Sequence, residues 1–420
     1  MAQEGIIPDA ATYHAVLRVL AVHPDYLLRQ HVIEELRQRW FSLTKDGWHD
    51  YTAGLIKDQQ LELALDALEE MRREGIRIGS WLHDMMIYIL CSAEEFDAAV
   101  SLMETRISDG ELNISPTLWH YILDSASRAL HHSATLFAYR ARVETLYLNP
   151  SAGMCINILS TAARHADTYL ATSVLRILGR RSGNPIQLHH YEALVETYAA
   201  ADDIRTALTL LSIMSAAGNT PTEASTRSIY VHLCKAPQLP SKAISVLEDI
   251  TEQGRQVPIQ AVNVVMQASI FHRDLSAAMS IYKTLHKFGA ELVPDTASYN
   301  ILFRGCAQAA RKDLAMFLAS EMVALKITPD ALTYDRLILA CLSSEDSIDD
   351  AWRYFEEMSA HGWWPRNGTV MALARRACEK GDRRILELEK SHSGRNILPR
   401  NLHYLISEHW KGSKEIAQED

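Results

Sequence analysis

Cysteine is scarce in this chain: six in 420 residues, at Cys91, Cys155, Cys234, Cys306, Cys341 and Cys378. Their spacing excludes CxxC pairs and zinc-ligand patterns, and free thiols fit a reducing compartment better than a disulfide-stapled secreted domain. Long apolar runs are also missing, so no stretch of sequence reaches the length that a membrane-spanning helix needs. Positive charge is in the minority, with 42 Lys and Arg against 52 Asp and Glu and a formal net charge of −10. That balance excludes a general attraction to phosphate or to anionic membranes, so any contact with nucleic acid must be local. There is no Gly-rich phosphate loop, no nucleophile elbow and no zinc-deaminase signature, and the sequence predicts no enzyme and no cofactor. The histidine pairs His131/His132 and His189/His190 carry no carboxylate at metalloprotease spacing, so no metal site is expected. The opening AQEGIIPD has neither the apolar core of a secretory signal nor the Arg-rich, acid-poor character of a mitochondrial presequence.

What the chain does have is repetition. VPDTASYNILFRGCAQ, from Val293, and TPDALTYDRLILACLS, from Thr328, share an outline of Pro-Asp, a polar step, Tyr, apolar residues and Cys. Extended along the chain, this punctuation starts units near Ala10, Lys45, Ser80, Leu118, Ala152, Leu188, Glu223, Gln260, Thr296, Ala331 and Asn367, in steps of 34 to 38 residues. A period that regular predicts a solenoid. In the first half of each unit, apolar residues recur at helical spacing, as in Tyr299, Leu302, Phe303 and Cys306. The second half carries an Ala, a bulky apolar residue seven later and a Gly eleven later, as in Ala64, Met71, Gly75 and Ala207, Met214, Gly218, and with Gly289 after Ala278 and Leu285. The small residue permits close helix packing, and Gly supplies the left-handed residue that ends a helix. The expected organisation is a tail of a preceding repeat at residues 1–9, a repeat array over 10–400, and a terminal helix with a polar tail over 401–420.

This pattern, with PDxxxYN at the junction, Gly-Cys or Leu-Cys ending the first helix and Ala…Met…Gly in the second, resembles the pentatricopeptide repeat family from about Ala10 to Arg400. The likeness is strongest over Thr296 to Met358 and degenerate between Leu118 and Gln187. It implies an all-α, right-handed superhelical α-solenoid of about eleven helix-turn-helix repeats of ~35 residues. It also implies a mitochondrial location and a single-stranded RNA partner, either a transcript or ribosomal RNA. Each base would face two side chains: the fifth residue of a first helix and the last residue of the repeat.

The combination that the family associates with uridine is Asn with Asp, which here is Asn300 with Asp330. The other pairs depart from it: His14/Thr44, His49/Gly79, Asp84/Thr117, Ile122/Ser151, Ile156/Gln187, Glu192/Thr222, Arg227/Ile259, Val264/Asp295, Asp335/Arg366 and Met371/Arg400. A basic patch over Arg375, Arg376, Arg383, Arg384 and Arg400 is a second candidate contact for phosphate, or a solvated helix face. Apolar residues at Ile122, Ile156, Val264 and Met371 offer a base no hydrogen bond. They favour a different reading, a scaffold for a mitochondrial protein complex such as a respiratory-complex assembly factor or a ribosome-associated component. The double substitution Asn300→Ala with Asp330→Ala is expected to weaken uridine preference without disturbing the fold.

Overall fold

The computed structural model describes residues 8–23, 25–111, 113–180, 186–289, 292–344, 348–392 and 401–407. Among them the regular structure is helical throughout, arranged as hairpins in two compact units, Met1–Pro185 and Ile186–Asp420.

The first unit holds five hairpins: Ala10–Val22 with Tyr26–Gln38 (α1, α2), Lys45–Lys57 with Leu61–Arg73 (α3, α4), Ser80–Ser92 with Phe96–Ser108 (α5, α6), Pro116–Arg128 with His132–Tyr139 (α7, α8) and Ala152–His165 with Thr168–Gly179 (α9, α10). Helix α8 runs on into a π-helical stretch, Arg140–Thr145. The second unit holds six: Leu188–Ala200 with Ile204–Ala216 (α11, α12), Glu223–Leu233 with Leu239–Glu252 (α13, α14), Ile259–Phe271 with Leu275–Lys283 (α15, α16), Thr296–Gln308 with Lys312–Ala324 (α17, α18), Ala331–Leu342 with Asp349–Ala360 (α19, α20) and Asn367–Glu379 with Arg384–His392 (α21, α22). Residues 402–407 are helical as well, and Leu402 and Ile406 bury themselves in the cluster around Ile338, Leu373 and Ile385. The expected leading tail at residues 1–7 and polar tail at 408–420 lie outside the described residues.

Each hairpin forms because its two helices bury one stripe apiece. Ala64 and Met71 are wholly buried, as are Ala207 and Met214, and Ala278 lies in the same kind of seam. Gly75 and Gly218 take φ of 71° and 83°, ending their helices where a side chain would be strained. After Ala278 and Leu285 the ending differs, since α16 stops at Lys283 and passes into a short 3-10 turn, Leu285–Lys287, ahead of Gly289.

Within a unit, first helices pack on neighbouring first helices, as α1 does on α3, α15 on α17 and α17 on α19. One large apolar side chain buried at such a seam contributes about 1.5–3 kcal/mol, so a hairpin that could not cover its faces alone gains stability from both neighbours.

Two first helices begin earlier than the periodicity suggests. Pro116 occupies the first position of α7, with Ser115 as its cap, where the ruler placed Leu118. Helix α15 starts at Ile259 with Pro258 in the capping position, one residue ahead of Gln260. Proline tolerates a first helical position because it has no N–H to leave unpaired there.

Candidate nucleic-acid interface

The fifth residue of each first helix lies one turn inside the helix, and the residue before the next first helix is that helix's N-cap. In the second unit these two positions meet. Asp295 caps α17 by accepting from the Ser298 N–H at 2.8 Å, and Ser298 Oγ accepts in return from the Asp295 N–H at 3.2 Å. Asp330 and Thr333 repeat this reciprocal cap on α19 at 2.7 and 3.1 Å. Asn300 then donates its side-chain amide to Asp330 at 3.1 Å.

The earlier start of α15 makes Asn263, not Val264, its fifth residue. Asn263 donates to Asp295 at 3.0 Å and accepts from Ser298 Oγ at 2.7 Å. Two successive repeats therefore carry an Asn–Asp pair. Sequence reasoning missed the first because it placed the unit one residue late; Pro258 ahead of the apolar run was the available signal. Val264 itself is buried core.

Both pairs line one groove of about 430 Å³, together with Gln267 and Arg336. Asn300 is only 4% exposed, and its Oδ1 is buried with no hydrogen-bond partner. Leaving such an acceptor unpaired costs about 1–3 kcal/mol. Burial pushes the Asp330 carboxyl up, but hydrogen bonds from Thr333 and Asn300 outweigh it and hold the group below the ordinary carboxylate value. The groove is thus lined by an ionised carboxylate and by an amide whose acceptor is buried and unfilled.

Asp335, the fifth residue of α19, is buried and accepts from the Arg366 backbone N–H at 2.9 Å. Arg227 is exposed on α13. Glu192 accepts from Thr222 Oγ1 at 3.1 Å and from Ser225 Oγ at 2.8 Å.

The corresponding positions of the first unit are occupied internally. His14 Nδ1 donates to the Ala10 carbonyl at 2.6 Å, and its Nε2 accepts from the Thr44 N–H at 3.0 Å. His49 does the same between the Lys45 carbonyl and the Gly79 N–H, at 2.7 and 2.9 Å. Asp84 pairs at 2.5 Å with the buried Arg106. Thr117 falls inside the first turn of α7, where its N–H donates to Ser115 Oγ at 3.3 Å, so the cap that faces Asp84's repeat is Ser115. The same shift turns Ile122 into buried core and makes His120, which contacts Arg142, the fifth residue of α7. Ile156 remains partly exposed and apolar.

The basic candidates at the far end of the chain do not act as one group. Arg375 and Arg383 are exposed. Arg376 bonds Glu379 at 3.1 Å and the Ser344 carbonyl at 2.9 Å, and Arg384 is held by Asp382 and Asp349 at 2.7 and 2.6 Å. Arg400 lies outside the described residues. Trp363 stacks on His361 with ring centres 5.1 Å apart. His132 meets Asp167 at 2.8 Å and His190 closes the cap of α11, and no cluster suited to a metal ion occurs among the described residues.

A family model described as "Pentatricopeptide repeat-containing protein" matches residues 152–285, and one described as "Pentacotripeptide-repeat region of PRORP" matches residues 242–392. The chain is 21% identical over 423 residues to a mitochondrial pentatricopeptide repeat-containing protein of Arabidopsis thaliana, covering 91% of this chain and 65% of that one. It is 24% identical over 139 residues to the small ribosomal subunit protein mL103 of the same plant, covering 33% of each. Among solved structures, the pentatricopeptide repeat protein PPR10 from maize is similar at a TM-score of 0.38 and 17% identity, over 96% of this chain and 66% of that one. PPR10 in complex with an 18-nt psaJ RNA element is similar at 0.35 and 19%, over 95% and 61%. The chain spans less than two thirds of the length of these relatives.

Proposed function

Because the chain belongs to the pentatricopeptide-repeat family, we propose that it is a non-catalytic, single-stranded RNA-binding protein of mitochondria that acts in RNA stability, processing or translation. The observation that carries this reading is the groove shared by two consecutive Asn–Asp pairs, Asn263 with Asp295 and Asn300 with Asp330. The carboxylate fixes which way each amide faces: the NH₂ points at Asp, and the carbonyl oxygen of Asn300 is left buried without a partner, so a base reaches it only after a small opening of the seam. That oxygen is an acceptor suited to the N3–H of uracil, and uridine is the base the family associates with this pair. By this reading the second unit faces two neighbouring uridines, with a free acceptor at Asn300 and one shared with Ser298 Oγ at Asn263. The first unit, where His14, His49 and Asp84 are taken up by backbone and by Arg106, His120 contacts Arg142 and Ile156 is apolar, contributes less to base selection.

Binding of the purified chain to a randomised single-stranded RNA pool, across a salt series and with the retained RNA sequenced, tests this. Enrichment of adjacent uridines, with affinity falling as salt rises, is the expected result. No retention at low salt would overturn it. The similarity to mL103 favours a second reading, attachment to a mitochondrial ribosomal subunit, which co-sedimentation with that subunit would detect.

A further inference from the structure

Beside the groove of the second unit lies another cavity, of about 440 Å³, lined by Arg304, Gln308, Asp335, Arg336, Leu339 and Arg366. Its three guanidinium groups come from three successive repeats: Arg304 from α17, Arg336 from α19 and Arg366 from the cap of α21. The lining includes one carboxylate, Asp335, which is 3% exposed and already engaged by the Arg366 backbone N–H, with Arg366 Nε at 4.0 Å, and Asp330 acts on Arg336 from outside the cavity. No described carboxylate lies within ion-pair distance of Arg304 or Arg336. Arg336 is held in place by donating to the Asn300 backbone carbonyl, and it lines the uridine groove as well as this cavity. Burial, and then the charges of Arg304 and Arg366, push the Arg336 guanidinium down to about 10.

Three like charges around one cavity, one of them largely withdrawn from water, repel one another, and an entering oxyanion relieves that repulsion. The planar fork of a guanidinium matches two oxygens of a phosphate. A base edge fits poorly here, because the carboxylate at the fifth position is turned to Arg366.

We propose that this cavity is a phosphate site, in which Arg304, Arg336 and Arg366 hold a phosphodiester of a strand whose bases lie against Asn263 and Asn300, while Asp335 positions Arg366. This repeat then grips the backbone where its two predecessors read bases. The proposal rests on the RNA reading above, and a free phosphate compound shares its chemistry.

The test compares the wild-type chain, the double variant Arg304→Gln with Arg366→Gln, and Asn300→Ala, by fluorescence anisotropy on oligouridylate and oligocytidylate over a salt series. Arg336 is left intact because it supports Asn300. The double variant should bind oligouridylate more weakly, with a log–log salt slope shallower by about 0.7 for each phosphate it no longer neutralises, and should keep its preference for uridine. Asn300→Ala should weaken the preference and keep the slope. A wild-type slope in the double variant overturns the phosphate site while leaving the RNA reading in place.

If no RNA binds, melting midpoints with pyrophosphate decide. A rise in the wild type that is absent from the double variant retains an anion site for a free phosphate compound and rejects the RNA reading. No rise in either overturns both.

Discussion

Asn300 and Asp330, thirty residues apart, are joined across the seam between two repeats at 3.1 Å, and the Asp330 oxygen that accepts from Asn300 also caps α19 through the Thr333 N–H at 2.7 Å. The proposed base contact and helix initiation therefore share an atom, and single substitutions separate them. Asn300→Ala should weaken uridine preference and leave the cap of α19 in place. Asp330→Ala should weaken the same preference and also cost about 1 kcal/mol of stability through loss of the cap. The sequence alone suggested that the double substitution leaves the fold intact, and the cap on α19 adds to that expectation a modest loss of stability. Urea denaturation alongside RNA binding checks both effects.

Acidification should destabilise the first unit. Burial, reinforced by the charge of Arg106, holds His83 below its ordinary value of 6.5, despite Glu111 at 3.3 Å and nearby Asp84. The unfolded chain takes up this proton near 6.5 and the folded chain only at lower pH, so stability falls as pH drops through that window. His190 and His232 are lowered chiefly by burial too and act with the same sign in the second unit. Melting midpoints between neutral and mildly acidic pH should decline, and His83→Gln should flatten part of the decline.

Arg106, with 1% of its side chain exposed, bonds Asp84 at 2.5 Å and Glu111 at 2.7 Å. Arg106→Met should cost roughly 3–5 kcal/mol, because two carboxylates lose the cation they are packed against. Chemical denaturation measures it, and a loss below about 1 kcal/mol would mean that water compensates both acids.

Thiol labelling should distinguish the cysteines. Burial pushes the Cys91, Cys306 and Cys341 thiols up to about 11, and five of the six cysteines are buried. Only Cys234 is partly exposed, although burial raises its thiol too. A chromogenic disulfide reagent at mildly alkaline pH should titrate one thiol rapidly and the other five after unfolding.

Gly54 is a close-approach position. A Cβ there would lie 2.5 Å from Arg29 Nε, and Arg29 is buried, paired with Asp58 and donating to the Leu20 carbonyl at 3.2 Å. Gly54→Ala gains about 1 kcal/mol of helix propensity but displaces that guanidinium, for a net loss of about 2 kcal/mol in the melting of the first unit.

The period, the hairpins and the buried stripes were readable because they are local: a stripe repeats every turn, and Gly75 or Gly218 marks its own helix end. The phase of a repeat was harder, because proline serves two positions. Pro258 caps α15, whereas Pro116 is the first helical residue of α7, and a ruler built on Pro-X pairs cannot separate these cases. That ambiguity, one residue at α15 and two at α7, hid Asn263 and gave Ile122 and Val264 a role they do not have. The arginine cavity was out of reach for another reason. Arg304, Arg336 and Arg366 occupy different positions in their repeats, so no period relates them, and only the packing of α17, α19 and α21 brings them together.

The shared atom at Asp330 also limits how such a protein can change its target. The residue ahead of a first helix also starts that helix, and at Thr44, Ser115, Ser151, Thr222, Asp295 and Asp330 its side chain accepts from the first turn, whereas Gly79, Pro258 and Arg366 make no such bond. Where a side chain makes the cap, a substitution that alters a base contact at this position also alters helix initiation. The fifth residue is free of that requirement, and His14, Asp84, Glu192 and Arg227 show how widely it can vary.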